Sequence, residues 1–285
     1  MIFVTGAAGK TGLAVIRAVA EQGGAVRALV RRPAQEEQVR SAGAAEVLVG
    51  DLTDGHMLRE GVRACTAVYH LAPNMHPAEL AIGRELIGAA QADGVTHIVY
   101  HSVLHPQTEG MPHHWQKLRV EEVLFAAGIP FTILQPAAYM QNMLAKWTAI
   151  TTTGDFSNPY PVSTRLSLVD LADVAAAAAT VLQQPGHEYA VYELVGTPPL
   201  AQTAVAQILS AELHRAVVAR EIPLAEWEAE ARAAGLPFYA VETLVKMFRY
   251  YARNGLEGNP NVLQMLLGRP PTTVAQFIRR QITAD

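Results

Sequence analysis

The chain has 285 residues, half of them hydrophobic and 17% charged, a balance that excludes intrinsic disorder and suits one packed core with a smaller annex. Twenty-two basic residues against 26 acidic ones give a net charge of −4, and no run of Lys or Arg is long enough to track phosphates, so nucleic acid is excluded as a direct partner. The single cysteine, Cys65, excludes an intrachain disulfide and is expected to be a buried, inert thiol in a reducing compartment.

Apolar runs at 2–4, 26–30, 47–49, 67–69, 98–100 and 131–134 read as buried strands, separated by helical patterns such as 11–21 and 77–92. Strand and helix alternating at this spacing predict an α/β fold: a Rossmann-type doubly wound parallel sheet. After Pro136 the rhythm changes. Residues 151–161, rich in Thr, Gly, Asn and Pro, suggest a loop, and Asp170 is placed to cap an Ala-rich helix. A further strand is expected at 189–195 and helices at 223–235 and 238–254, parted by Gly235-Leu236-Pro237. The expected division is a Rossmann domain over 1–150 and a mainly helical C-terminal annex over 151–285, with some strands returning to the main sheet. A glycine turn starting at residue 6 leaves no room ahead of it for a signal peptide, and the apolar stretch 174–182 falls short of the roughly 20 residues that span a bilayer. A cytoplasmic chain with no membrane partner is expected.

The strongest local signal is the segment Phe3 to Gly12, a strand that turns through three glycines into a helix. Gly6 permits the tight turn, Gly9 lets backbone approach a pyrophosphate, and Gly12 lets the helix pack on the strand; Ala8, Lys10 and Thr11 lie between them. The N–H groups and dipole of the helix N-terminus then favour phosphate. At the end of the second strand, where an acidic residue would accept hydrogen bonds from an adenosine ribose, stand Arg31 and Arg32. Guanidinium groups bind a 2′-phosphate through charge-assisted hydrogen bonds, so NADP(H) is the expected cofactor, with a solvated surface pair as the alternative. Asp51 and Leu52, after the third strand, are placed to flank the adenine or else to begin a helix. No metal site is expected.

These features, with His70-Leu71-Ala72-Pro73, Ser102, Lys117 and the segment from Leu134-Gln135-Pro136 to Asn142, resemble the NmrA-like proteins, atypical members of the short-chain dehydrogenase/reductase superfamily. The similarity extends to Asn259-Pro260-Asn261 and to Leu267 through Pro271. The resemblance implies that Leu71, Ala72, Pro73 and Pro136 line the cofactor, that Lys117 binds the nicotinamide ribose, and that Ser102 meets the nicotinamide or the substrate. Ala138, Tyr139 and Asn142, which follow the sixth strand, are candidates for lining the substrate pocket.

Most of the superfamily carries a Tyr-x-x-x-Lys pair, but four residues before Lys117 this chain has His113. Helical residues four apart share a face, so His113 is a candidate proton donor, set against a structural or surface histidine. Hydride transfer to a ketone leaves an alkoxide whose conjugate acid is about as weak as water, roughly 15.7, and demands an aligned proton donor. A reduced quinone leaves a phenolate-like anion near 10, which survives until solvent protonates it. A site without tyrosine therefore suits quinones or similar conjugated electrophiles. The family resembles NADPH quinone and dye reductases on one side and non-catalytic redox-sensing regulators on the other, so a small-molecule electrophile and a regulatory protein partner are the two partner classes, and a homodimer is compatible with either.

Overall fold

The computed structural model describes residues 1–283. Six strands, β1 (Ile2–Val4), β2 (Val26–Val30), β3 (Glu46–Val49), β4 (Ala67–His70), β5 (His97–His101) and β6 (Phe131–Pro136), form its main sheet with the strand Ala190–Leu194. The spatial order is 190–194, β6, β5, β4, β1, β2, β3, and every pairing among the first six is parallel. The helices α1 (Lys10–Glu21), α2 (Glu36–Ser41), α3 (Gly55–Val62), α4 (Glu79–Ala92) and α5 (Pro112–Ala126) connect these strands. β1, β4 and β6 are buried along their whole length, as expected for unbroken apolar runs covered on both faces.

One face of the sheet packs Phe3, Val68, Ile98, Tyr100 and Ile133 against Leu58, Val62, Leu86, Val120 and Leu124 of α3, α4 and α5. Gly61 is required there, because a Cβ would sit 2.2 Å from the Phe3 ring. β1 lies between β2 and β4, where the chain's path across the sheet reverses. Parallel doubly wound sheets bind ligands outside the carboxyl ends of the strands at such a reversal, and it places the loops after β1 and β4 side by side.

The chain divides into two compact units, and the cuts are not where composition placed them. The first unit takes Met1–Gln107, His113–Gln135 and Val174–Tyr192; the second takes Thr108–Pro112, Pro136–Asp173 and the chain from Glu193. A single boundary at 150 is replaced by a discontinuous one, because the Ala-rich helix Leu171–Gln183 runs mostly within the first unit. The second unit has its own core of Met140, Ile150, Phe156, Leu209, Phe277 and Ile278. It contains the helices Gln202–Leu213, Leu224–Ala233, Phe238–Asn254, Asn261–Leu267 and Val274–Ile282. Residues 151–161 are not simply a loop: they hold the end of helix Trp147–Thr152 and the strand Asp155–Asn158, with Gly154 turning between them at φ +72°. That strand is made by parallel pairing with Val218–Glu221, a partner too distant to leave a local pattern.

Candidate functional site

At the carboxyl end of β1 the glycine turn closes through a hydrogen bond from the Gly9 N–H to the Gly6 carbonyl, 3.1 Å. Gly6 adopts φ +61°, and a Cβ on it would lie 2.7 Å from the Leu71 carbonyl oxygen. At Gly12 a Cβ would come within 2.4 Å of the Gly6 carbonyl oxygen, so this residue serves helix packing. Gly9 differs: a Cβ there meets only the Gly6 carbonyl oxygen, at 3.3 Å, and the residue is exposed, with Lys10 beside it. Gly9 is also the N-cap of α1 and, having no side chain, makes no side-chain cap to the helix. Ala8 is half-buried and Thr11 buried within the same turn.

Arg31 and Arg32 follow β2 on the surface, and among the described residues neither guanidinium has a carboxylate within ion-pair distance. The Arg32 N–H is held by the Gln35 side chain, 3.0 Å, which fixes the backbone but leaves the charge available. After β3, the Asp51 carboxylate accepts from the Thr53 N–H and hydroxyl at 2.8 and 2.7 Å. Those bonds hold Asp51 below the usual carboxylate range, and the charge of Arg31 adds to them. The cap of α3 is Asp54, not Asp51, so Asp51 orders the turn in which Leu52 lies half-buried.

The loop after β4 is tied to β1 by Thr5, a strand residue with no motif of its own. The Thr5 hydroxyl accepts from the Leu71 N–H at 2.9 Å, donates to the Leu71 carbonyl at 3.1 Å, and shares a hydrogen bond of 3.0 Å with His70 Nδ1. This clamp holds Leu71, Ala72 and Pro73 beside the glycine turn, with Ala72 buried and Pro73 exposed.

Past β5 lies a buried polar cluster. Lys117 of α5 donates to Glu79 Oε1 at 2.7 Å and to the His101 carbonyl at 3.2 Å, and its ammonium stands 5.5 Å from the centre of the Tyr100 ring. The Tyr100 hydroxyl also donates to Glu79, at 3.1 Å. Ser102, buried at the end of β5, donates its hydroxyl to Glu121, which also accepts from the Gln135 amide at 3.0 and 3.2 Å. The Ser102 hydroxyl therefore faces a carboxylate of its own chain. Burial pushes the Glu121 carboxyl up, against the pull of these donors and of Lys117.

His113 is buried, with Nδ1 unpartnered and its ring edge-on to His114, 4.5 Å between centres. Burial, with His114 and Lys117 nearby, pushes it down to about 2. His70, His101 and His114 fall to about 3, 3 and 4, burial being the largest cause in each. All four imidazoles are neutral at pH 7. A neutral imidazole N–H is a poor acid, so the candidate proton donor is ill suited to that role. The structural reading of His113 agrees with its burial, but not with its unsatisfied nitrogen.

In the second unit, Pro136 is buried at the end of β6, Ala138 and Tyr139 are half-buried, and Asn142 is exposed. The strand Ala138–Tyr139 pairs in parallel with Leu168–Val169. Gln141 anchors this segment, donating to Asp170 at 2.7 Å and accepting from the Leu171 N–H at 3.1 Å. Asp170 caps the Ala-rich helix through the Ala172 N–H at 3.0 Å, as its position predicts.

A model of the NmrA-like family matches residues 1–278. The chain belongs to the NmrA-like family. Among curated relatives, quinone oxidoreductase 2 of Escherichia coli is 29% identical over 280 residues, covering 98% of this chain and 97% of that protein. An NAD(P)H azoreductase of Xenophilus azovorans is 28% identical over 286 residues, covering 100% and 99%. The crystal structure of the E. coli NADPH-dependent quinone oxidoreductase complexed with NADPH matches with a TM-score of 0.87 at 28% identity, over 99% of this chain and all of that one. No helix among the described residues is long and apolar enough to cross a membrane.

Proposed function

We propose that this NmrA-like protein binds NADP(H) across the turn of residues 6–12 and reduces a quinone or similar flat, conjugated electrophile. The observation that carries the reading is the glycine turn that opens α1, with Gly9 bare and exposed at its mouth. The N-terminus of a helix that opens on a glycine turn fits a diphosphate, and the guanidinium groups of Arg31 and Arg32, which have no ion pair among the described residues, fit a 2′-phosphate. The names of the E. coli and X. azovorans relatives support the same cofactor and the same kind of acceptor.

When bound, the reduced cofactor supplies a hydride, two electrons and one proton, and the acceptor takes a second proton to become the hydroquinone. The chain's residues bind and orient: Thr5 holds the loop of Leu71, Ala72 and Pro73 against the glycine turn, and Lys117 offers a cation beyond β5. The four buried histidines are neutral at pH 7 and their N–H groups are poor acids, so none is a ready proton donor and solvent serves as the source of the second proton. That route is adequate for a phenolate-like anion near 10 but not for an alkoxide near 15.7, and it restricts the acceptor to conjugated electrophiles.

The test is purified protein with NADPH or NADH and a panel of quinones, azo dyes and simple ketones, following loss of the reduced nicotinamide absorbance. Quinone or dye turnover with NADPH is the expected result, and preferential ketone turnover would refute the reading. Tight NADPH binding without turnover of any acceptor would instead support a redox sensor acting through a regulatory protein.

A further inference from the structure

Glu79 is among the most buried charged groups in the chain, 1% exposed, yet neither the glycine turn nor any family motif accounts for it. It stands in the first turn of α4, where a helix dipole favours a carboxylate, and receives hydrogen bonds from Lys117 and Tyr100. Stability alone does not require such a group, since buried ion pairs are commonly replaced by apolar residues without loss. What the pair does fix is geometry. A lysine ammonium on a four-carbon stem has three donors and wide freedom; here two donors are committed, to Glu79 and the His101 carbonyl, leaving one.

We propose that Glu79 is a positioning residue that holds the Lys117 ammonium at the end of β5 and leaves it a single N–H to give to the cofactor's ribose. The proposal rests on the reading above, that NADP(H) is the cofactor and Lys117 touches it. It narrows the lysine's role: an unrestrained ammonium can donate to both ribose hydroxyls, whereas this one donates to one. Tyr100 supports the arrangement from the other side, because its hydroxyl keeps the Glu79 carboxylate oriented.

The experiment is isothermal titration of NADP⁺ into the wild-type chain and the variants Glu79→Gln, Glu79→Asp, Lys117→Ala and Glu79→Gln/Lys117→Ala, with a thermal melt of each. Glu79→Gln keeps an acceptor for Tyr100 but loses the charge that holds the ammonium, and is expected to weaken binding roughly tenfold, the scale of one charge-assisted hydrogen bond. Glu79→Asp should recover part of that loss. In the Lys117→Ala background, Glu79→Gln should change affinity less than about twofold, because nothing is left to position. Independent losses that add in the double variant would overturn the proposal, as would wild-type affinity in Glu79→Gln. A second measurement does not depend on the variants folding. The chain has four lysines, Lys10, Lys117, Lys146 and Lys246, so carbon-13 labelling at the ε-position gives a resolvable spectrum of the wild type. The Lys117 signal should move on saturation with NADP⁺, and an unmoved signal would refute the proposal while leaving the cofactor assignment standing. Failure of the wild type to bind NADP⁺ at all would overturn both.

Discussion

Acidification from pH 7 to pH 5 should destabilise this protein far more than most. His70, His101, His113 and His114 are held at about 3, 3, 2 and 4 by burial, whereas the unfolded chain titrates each near 6.5. A histidine whose folded value is depressed contributes stability that is complete above its unfolded value and is lost as pH falls towards the folded one. Between pH 7 and 5 each group gives up about 1.9 kcal/mol, or roughly 7.5 kcal/mol for the four together. Glu121, pushed up by burial, takes a proton more readily in the folded chain and offsets the loss by at most about 1.4 kcal/mol per pH unit. The net loss, about 5 kcal/mol, is a large fraction of the total stability of a typical protein, about 5–15 kcal/mol, so the chain should be markedly less stable at pH 5 than at pH 7. Urea titrations at pH 7, 6 and 5, followed by tryptophan fluorescence and circular dichroism, read this directly. His113→Phe should lower the slope of stability against pH by about 1.4 kcal/mol per unit at pH 5 to 6. A flat profile between pH 7 and 5 would mean that the imidazoles are solvated or already charged, and would refute the burial argument together with the solvent-proton route built on it.

The remaining predictions concern the cofactor. Arg31→Ala with Arg32→Ala should abolish a preference for NADPH over NADH, each contact contributing about 1.5–3 kcal/mol; equal wild-type affinities for the two cofactors by fluorescence titration would refute the assignment. Gly9→Val should remove NADPH binding with little change in melting temperature, whereas Gly12→Ala should lower the melting temperature as well, because its Cβ would meet backbone at 2.4 Å. Unchanged affinity in Gly9→Val would make the turn merely structural. Lys117→Ala should slow quinone reduction more than His113→Ala at saturating NADPH. The reverse order, with activity falling as pH rises through the histidine range, would make His113 a proton donor and bring ketones back as substrates.

The parallel sheet was legible because each of its first six strands is a short apolar run bounded by turn residues, and the structure moves those boundaries by only one or two residues. The glycine turn was legible because its chemistry is confined to seven consecutive positions. Glu79 was not: a single acidic residue in the first turn of an amphipathic helix looks like a favourable dipole contact, and its partner lies 38 positions away. Thr5 and Glu121 were hidden in the same way, as ordinary residues of a strand and a helix until tertiary packing brings His70, Leu71, Ser102 and Gln135 to them. Ser102 was noticed for its place at a strand end, yet the direction of its hydroxyl depends on α5. In the second unit, paired strands of two to four residues are too short to show a period, and Asp155–Asn158 exists only through a partner some 60 residues later.

The outer edge of β6 is covered by the strand Ala190–Leu194, and between them lies most of the first half of the other unit. During synthesis the first six strands leave the ribosome while this edge is still bare. At roughly 5–20 residues per second, the 58 residues that follow Pro136 up to Leu194 take about 3–12 s to appear, ample time for a hydrogen-bonding edge to recruit a strand from another nascent chain. A fragment stopped at residue 150 would keep that edge permanently open, and should be recovered as aggregate rather than as a small cofactor-binding domain.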